Sequence, residues 1–262
     1  MYNFDFVKPS TLDEAVAALG GEDAQPLSGG QTLLPSMKQR LNAPGVLVSL
    51  TGIDALKGVS LEGRLLVIGG ATPHAVVAAE AASVYPALAA LAGGIGDPAV
   101  RNRGTIGGSL ANNDPSACYP SAALGSGATI VTNNREIAAD DFFTGMFETA
   151  LEPGEIITAV KFPVPEKAAY AKFQQPASRF ALTGAYVAKY GDGVRVAITG
   201  ASEGGVFRWT EAEEALNRSF TAEALNGLSL PADGMMGDLH GTPAYRAHLC
   251  AVMTRRAVTA AR

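Results

Sequence analysis

The centre of the chain carries the sequence Gly93-Gly94-Ile95-Gly96-Asp97-Pro98-Ala99-Val100-Arg101-Asn102-Arg103-Gly104-Thr105-Ile106-Gly107-Gly108-Ser109-Leu110-Ala111-Asn112-Asn113-Asp114-Pro115. So many glycines disfavour both helix and strand, and we therefore predict a loop here. Gly107 and Gly108 lack Cβ atoms and lie between the hydroxyls of Thr105 and Ser109. Their backbone N–H groups can therefore approach an anionic group such as a pyrophosphate. The stretch predicts a site for a phosphate-bearing cofactor, and a tight turn with positive φ and no ligand is the alternative.

A second double-glycine loop lies much earlier in the chain. It reads Ser28-Gly29-Gly30-Gln31-Thr32 and leads into the segment 33–41. Two such loops can bind a diphosphate from opposite sides. Neither GxGxxG nor GxxxxGK[ST] occurs anywhere in the sequence, so a Rossmann fingerprint and a P-loop are both excluded. The pattern therefore requires a different kind of dinucleotide-binding fold.

Composition narrows the class of protein further. The chain has 262 residues, of which 47% are hydrophobic and 17% charged, as expected for a globular protein of one or two domains. Its 20 Lys and Arg residues against 25 Asp and Glu residues give a net charge of -5, and there is no long basic run. Nucleic acid is therefore excluded as a partner.

Cysteines and the N-terminus exclude other classes. Cys118 and Cys250 are the two cysteines, and they are too far apart in sequence for a disulfide framework, a zinc knuckle or an iron–sulfur cluster built from this chain alone. No signal peptide pattern occurs at the N-terminus, and no apolar run is long enough to span a bilayer. We predict a cytoplasmic protein without an integral membrane segment and without a metal site.

Hydrophobic periodicity predicts a mixture of helices and strands, which is an α+β class. Helices are expected at 10–19, 74–82, 85–91, 210–216 and 245–260, and strands at 26–27, 46–50, 65–68, 128–132, 155–162, 185–190 and 194–198. The last two strands flank Gly191-Asp192-Gly193 and predict a hairpin. Pro163-Val164-Pro165 breaks the pattern, so we place a domain boundary there. Beyond it we expect a small antiparallel sheet backed by helices.

Several motifs together resemble one known family. They are the 28–35 loop, 101–109, Gly154-Glu155-Ile156-Ile157, Tyr170-Ala171-Lys172-Phe173, Asp238-Leu239-His240 and 245–249. Jointly they resemble the FAD-binding medium subunit of the molybdenum hydroxylases, the group of carbon monoxide dehydrogenase and xanthine dehydrogenase. The resemblance runs nearly the whole chain. It implies a two-subdomain PCMH-type FAD-binding domain at 1–165, with subdomains at about 1–52 and 53–165, and a small C-terminal α+β domain at 166–262.

The resemblance also implies which residues bind FAD. The two glycine loops would hold its pyrophosphate, Ile95 would lie beside the isoalloxazine ring, Ile157 would pack on the cofactor and Lys172 would lie near the flavin. The full set of implied cofactor-binding residues is Ser28, Gly29, Gly30, Gln31, Thr32, Ile95, Thr105, Gly107, Gly108, Ser109, Asp114, Cys118, Ile157, Lys172 and Phe180.

At two positions the chain departs from the family pattern. Cys118 stands where the family often has an acidic residue that contacts the flavin. Arg179 stands where relatives such as carbon monoxide dehydrogenase have an Asp. The next residue, Phe180, keeps the aromatic side chain that screens one face of the ring. The loss of a carboxylate beside the flavin bears on its reduction potential and on its electron acceptor.

The family resemblance implies a role without catalytic residues of its own. A molybdenum subunit would oxidise the substrate, an iron–sulfur subunit would relay single electrons, and the FAD of this chain would collect two and pass them on. The expected assembly is a dimer of such heterotrimers, with the molybdenum cofactor and the iron–sulfur clusters in the partner subunits. Neither glycine loop contains His or Cys, so we expect FAD to be bound noncovalently.

Two other functions remain open from the residues. Gly200-Ala201-Ser202-Glu203-Gly204 fits the GxSxG pattern of serine hydrolases, with Asp233 or Asp238 and then His240 or His248 downstream. Alternatively, the glycine loops could belong to a binding module without redox turnover. The three histidines, which include His74, are scattered, so we interpret each as a satisfied structural group or a surface residue.

Overall fold

The strands form sheets of three, five, four and two strands, with helices packed between and over them. The computed structural model describes residues 1–262, the whole chain. It confirms the predicted α+β class.

The first sheet is parallel. It contains β1 (Asp5–Val7), β2 (Ala24–Leu27) and β3 (Val46–Ser49) in the order β1-β3-β2. Helix α1 (Leu12–Leu19) connects β1 to β2, and α2 (Leu33–Lys38) connects β2 to β3. The capping box at the start of α1 is confirmed, because Glu14 N–H donates to the Thr11 hydroxyl and Thr11 N–H donates to the Glu14 carboxylate.

The second sheet is antiparallel and has the order β4-β5-β10-β6-β7. Its first elements in chain order are β4 (Val59–Glu62), β5 (Leu65–Gly69), α3 (His74–Glu80), α4 (Pro86–Gly93), α5 (Pro98–Arg101), α6 (Ile106–Asn112) and α7 (Tyr119–Ser126). The chain continues through β6 (Thr129–Thr132), β7 (Glu136–Ala138), α8 (Ala139–Phe142), β8 (Phe143–Gly145), β9 (Glu148–Thr149) and β10 (Ile157–Pro163). Apolar residues from this sheet and its helices form the largest core cluster.

The prediction of a loop through the whole glycine-rich stretch is wrong. Two short helices, α5 and α6, lie within it. Thr105 caps α6, and the N–H of Gly107 donates to the carbonyl of Gly70, outside the helix, over 2.9 Å. Tertiary hydrogen bonds of this kind offset the poor helix propensity of glycine. Neither Gly107 nor Gly108 has a positive φ, so the tight-turn alternative is also wrong.

The third large sheet is an antiparallel meander of β11 (Lys167–Gln174), β12 (Ala181–Tyr190), β13 (Gly193–Ser202) and β14 (Gly205–Arg208). The predicted hairpin is confirmed, because β12 pairs with β13 across the turn at 191–192. Helices α9 (Thr210–Arg218) and α10 (Pro243–Ala260) pack on one face, and α7 packs on the other. Residues 181–188 of β12 are all buried, as expected for a strand covered on both faces.

The predicted division at residue 165 falls between β10 and β11, which belong to different sheets. The domain boundaries themselves stay a prediction. None of the helices has both the length and the hydropathy that crossing a lipid bilayer requires.

Candidate functional site

A cavity of about 490 Å³ opens where the first sheet, the α5–α6 region and the β11–β12 connection meet. All fifteen cofactor-binding residues implied by the family resemblance line this cavity, and so does Arg179. Residues as distant in sequence as Ser28 and Phe180 therefore share one site. Ile95, Ile157 and Phe180 supply apolar surface, whereas the two glycine loops supply hydroxyls and backbone amides.

The two glycine loops are in direct contact. The hydroxyl oxygens of Ser28 and Thr105 lie 2.7 Å apart, within hydrogen-bonding distance. A Cβ atom on Gly29 would collide with the carbonyl oxygen of Arg103 and the Cα of Gly104. Glycine at position 29 is therefore needed for the close approach of the two backbones.

The first loop offers a row of free donors. None of the backbone N–H groups from Ser28 to Thr32 donates a hydrogen bond within the chain. Gly30 has a φ of +69°, which favours glycine at that position. Backbone N–H groups without a protein acceptor need another partner, and phosphate oxygens are a suitable one.

The second loop is arranged differently from the sequence expectation. The N–H of Gly107 donates to the carbonyl of Gly70, and the N–H of Gly108 donates to the Thr105 hydroxyl over 3.2 Å. The expectation that both of these N–H groups are free for a phosphate is therefore wrong. Gly108 is nevertheless exposed towards the cavity, and the hydroxyl of Ser109 makes no hydrogen bond within the chain. This loop can contribute open space and a hydroxyl.

Cations surround the opposite end of the cavity. Three consecutive carbonyl groups, those of residues 94–96, accept hydrogen bonds from three different cationic side chains. Lys172 donates to the Gly94 carbonyl over 2.8 Å, and Arg101 donates to the next two carbonyls over 3.0 and 2.9 Å. Arg179 also donates to the third carbonyl, over 3.4 Å. This end of the cavity is consequently electropositive.

Lys172 also connects this end to two further segments. Its Nζ atom donates to the carbonyl of Arg179 over 2.9 Å and lies 3.6 Å from the Sγ atom of Cys118. Cys118 is buried, whereas Phe180 is 55% exposed at the mouth of the cavity. Lys172 therefore holds the connection between β11 and β12, which carries Phe180, against the cavity wall.

Asp114 and Glu155 place two carboxylates along the cavity. Asp114 accepts a hydrogen bond from the N–H of Ser116 over 2.8 Å. Glu155, which the sequence analysis did not predict as a site residue, is saturated by donors. Its ion pair with Arg135, assisted by hydrogen bonds from the Glu152 N–H and the Thr132 hydroxyl, lowers its carboxyl pKa to about 2. We interpret Glu155 as part of the cavity wall.

His74 is a second cavity-lining residue that the sequence analysis missed, and its interpretation as a satisfied structural or surface residue is wrong. Its side chain is only 5% exposed, and no hydrogen bond engages either ring nitrogen. Burial, and then the charge of Arg101, lowers its pKa to about 4. His74 precedes the second glycine loop by about thirty positions, and no motif around it in the sequence signals such a role. His240 and His248 are exposed, as expected for surface residues.

The structure excludes the hydrolase alternative. Ser202 ends β13, and a short turn leads directly into the antiparallel β14. A nucleophile elbow requires a helix directly after the serine, and none follows here. The Ser202 hydroxyl instead accepts a hydrogen bond from the N–H of Gly204 in the turn, over 3.0 Å. The alternative of a serine hydrolase that uses Ser202 is therefore wrong.

The lining suits a dinucleotide with a flavin. Free backbone N–H groups and hydroxyls at the meeting point of the loops match a diphosphate, and the apolar side chains beyond them match an aromatic ring system. No cluster of three or more His, Cys, Asp or Glu side chains that could hold a metal ion occurs in the structure.

Comparison with known proteins gives concordant results. The family model described as the FAD-binding domain in molybdopterin dehydrogenase matches residues 2–165. The chain is 33% identical over 279 residues to the carbon monoxide dehydrogenase medium chain of Afipia carboxidovorans, covering 99% of this chain and 97% of that one. It is 32% identical over 273 residues to the nicotine 6-hydroxylase medium subunit of Paenarthrobacter nicotinovorans, covering 98% and 96%. The structure of reconstituted CO dehydrogenase from Oligotropha carboxidovorans superimposes with a TM-score of 0.89 at 32% identity, covering 98% and 97%.

Proposed function

Because this chain belongs to the FAD-binding subunits of the molybdenum hydroxylase family, we propose that it carries electrons from an iron–sulfur subunit to an external acceptor. The relatives are dehydrogenase and hydroxylase medium subunits, so the chain is an oxidoreductase flavoprotein subunit of a multi-subunit enzyme. The observation that carries the proposal is the row of free N–H groups from Ser28 to Thr32, on a cavity lined by every residue that the resemblance implied.

We place the diphosphate of FAD at the junction of the two glycine loops. The free N–H groups of 28–32 and the hydroxyl of Ser109 would bind its oxygens, and the exposed face of Gly108 would leave room for them. The short contact between Ser28 and Thr105 fixes the spacing of the two loops. The loops thus form one preorganised site, because this contact already holds them together without a ligand.

The isoalloxazine ring would lie towards the electropositive end. Ile95 and Ile157 would pack against it, and Phe180 would screen one face from water at the mouth of the cavity. FAD supplies the redox chemistry when bound, since a flavin can take up electrons singly and release them in pairs. Lys172, together with Arg101 and Arg179, would favour electron uptake by the electrostatic attraction of their positive charges.

The partners in this proposal are an iron–sulfur small subunit and a molybdenum large subunit, assembled as a dimer of heterotrimers. The molybdenum cofactor and the clusters would lie in those partners. Support comes from the relatives, whose names describe medium chains or medium subunits of larger enzymes. The cytoplasmic location stays a prediction.

The test is to purify the chain and precipitate it with acid. We expect a yellow supernatant that contains FAD, and we expect the intact protein to bleach with dithionite and recover its colour in air. Failure to bleach and recover would favour a binding module without redox turnover. Cys118 lies in the cavity although outside both loops, so a flavin-labelled peptide containing it would contradict noncovalent binding.

A further inference from the structure

His74 lies at the start of α3, on the wall of the cavity. Its backbone N–H donates to the carbonyl of Gly104 over 2.9 Å, and the preceding Pro73 forms a β-bridge with Thr105. The imidazole rests on the backbone of the second glycine loop. A Cβ atom on Gly104 would lie 2.6 Å from the Nε2 atom of His74, so the glycine leaves space for the ring.

The imidazole has no partner in the protein. Its Nδ1 atom is closed off from solvent without a hydrogen bond, and no side chain or carbonyl engages Nε2. Its ring packs against Tyr119, with the two centroids 5.3 Å apart. Leaving a buried polar group unpaired destabilises the fold, and an apolar side chain of similar size would avoid that cost. The fold itself therefore gives no reason for a histidine here.

We propose that His74 is a cofactor-binding residue whose imidazole hydrogen-bonds to the ribityl chain of FAD. This inference rests on the proposed function. His74 contacts the second glycine loop on one side, where we place the diphosphate. Arg101, whose charge acts on His74, binds the Ile95 and Gly96 carbonyls at the ring end. The imidazole thus lies between the diphosphate end and the ring end of the cavity, where the ribityl chain of FAD would pass.

The chemistry of the group agrees with this placement. The lowered pKa keeps the imidazole neutral near pH 7, and a neutral imidazole has one donor and one acceptor nitrogen. A ribityl hydroxyl can pair with Nε2 in either tautomer, since a hydroxyl both donates and accepts, whereas Nδ1 stays closed off. The negatively charged diphosphate would instead favour a charged imidazolium, which the site disfavours.

The test compares apoprotein variants in titrations with FAD and with ADP, which has the adenine and the diphosphate but no ribityl chain. For His74→Leu we expect about a tenfold loss of FAD affinity, as for one lost hydrogen bond in a closed site, and unchanged ADP affinity. The apoprotein should melt at the wild-type temperature or above it, because an unpaired polar group has been removed. His74→Gln keeps a side chain that donates and accepts, so it should recover part of the affinity.

Tyr119→Phe is the matched control. Tyr119 touches the same ring and also has an unpaired buried hydroxyl, but it does not line the cavity. The FAD affinity of Tyr119→Phe should equal that of the wild type. Wild-type FAD affinity in His74→Leu, or an equal loss of ADP affinity, would overturn the inference. Failure of the wild-type chain to bind FAD would instead refute the proposed function.

A measurement on the wild-type protein covers the case in which His74→Leu does not fold. The imidazole ¹⁵N resonances of His74 should shift when FAD is added and stay unchanged with ADP. Unchanged resonances at saturating FAD would contradict the contact.

Discussion

The hydroxyl oxygens of Ser28 and Thr105 lie 2.7 Å apart although 77 positions separate the two residues in the chain. This contact joins the glycine loop of the first sheet to the N-cap of α6. The Thr105 hydroxyl also accepts a hydrogen bond from the N–H of Gly108. One hydroxyl therefore contacts both the start of α6 and the loop that contains Ser28. The proposed diphosphate site depends on this spacing.

Ser28→Ala should loosen that junction. We expect the apoprotein to lose about 1 kcal/mol of unfolding free energy, the usual contribution of one hydrogen bond, and FAD to bind several-fold more weakly. Urea melts and FAD titration measure the two effects. Ser60→Ala, on the exposed face of β4, is the control and should change neither. An unchanged FAD affinity in Ser28→Ala would show that the contact does not position the site.

Gly107 and Gly108 should respond in opposite ways to substitution. A Cβ on Gly107 would lie 2.6 Å from the carbonyl oxygen of Gly70, so Gly107→Ala should destabilise the apoprotein by about 1–3 kcal/mol through overpacking. Gly108 is exposed and its Cβ would meet the Thr105 hydroxyl at 3.0 Å. Gly108→Val should leave the apoprotein within about 1 kcal/mol of wild type, because its helical φ is accessible to valine.

FAD titration then separates the roles of the two glycines. Gly108→Val should lose most of its FAD affinity, since branched methyl groups would occupy the space proposed for the diphosphate. A lowered apoprotein melt together with wild-type affinity in Gly108→Val would argue for a purely structural glycine.

Lys172→Met should release the connection between β11 and β12. The change removes the hydrogen bonds to the Gly94 and Arg179 carbonyls, so Phe180 should no longer screen the ring. We expect greater quenching of bound flavin fluorescence by iodide and weaker FAD binding. Lys167→Met, at the exposed start of the same strand, is the matched control. Equal quenching in both variants would contradict this role for Lys172.

Arg179→Asp should lower the reduction potential of the bound flavin. The substitution replaces a positive charge near the ring end with a negative one, which disfavours electron uptake. Redox titration should show a decrease on the order of tens of millivolts, smaller at high ionic strength. Arg256→Asp makes the same charge change on the exposed part of α10 and should leave the potential unchanged. A shift in the opposite direction would contradict the proposed orientation of FAD.

His74 should make the apoprotein less stable in mild acid. Its pKa is about 4 in the folded chain and 6.5 when unperturbed, so the unfolded chain takes up the proton first as the pH falls. The free energy of unfolding should therefore fall as the pH drops from 6.5 towards 4. At pH 5 the loss should be about 2 kcal/mol relative to its value above pH 6.5.

The difference in unfolding free energy between wild type and His74→Leu, measured by urea melts from pH 7.5 to 4.5, isolates this effect. Glu155 also has a lowered pKa and acts in the same sense at lower pH, where its protonation removes stability, but its effect is common to both proteins and cancels in the difference. A difference that does not change with pH would show that the native imidazole titrates normally.

The helices and strands that local sequence patterns predicted are present, although as many others were not predicted. The capping box at Thr11 and Glu14, the hairpin at 191–192 and the C-terminal helix all follow from interactions between near neighbours. The composition of the two glycine loops likewise predicted a phosphate-bearing ligand. Such features are readable because their physical cause lies within a few residues of the chain.

Contacts between distant segments decided the rest. The N–H of Gly107, in the first turn of α6, donates to the Gly70 carbonyl, and that bond uses the donor that the loop composition had predicted to be free. The unpaired imidazole of His74 depends on the approach of Gly104 and Tyr119. Glycine content shows where a backbone can come close to another group, but only the folded chain determines whether that group is a ligand or the protein's own backbone.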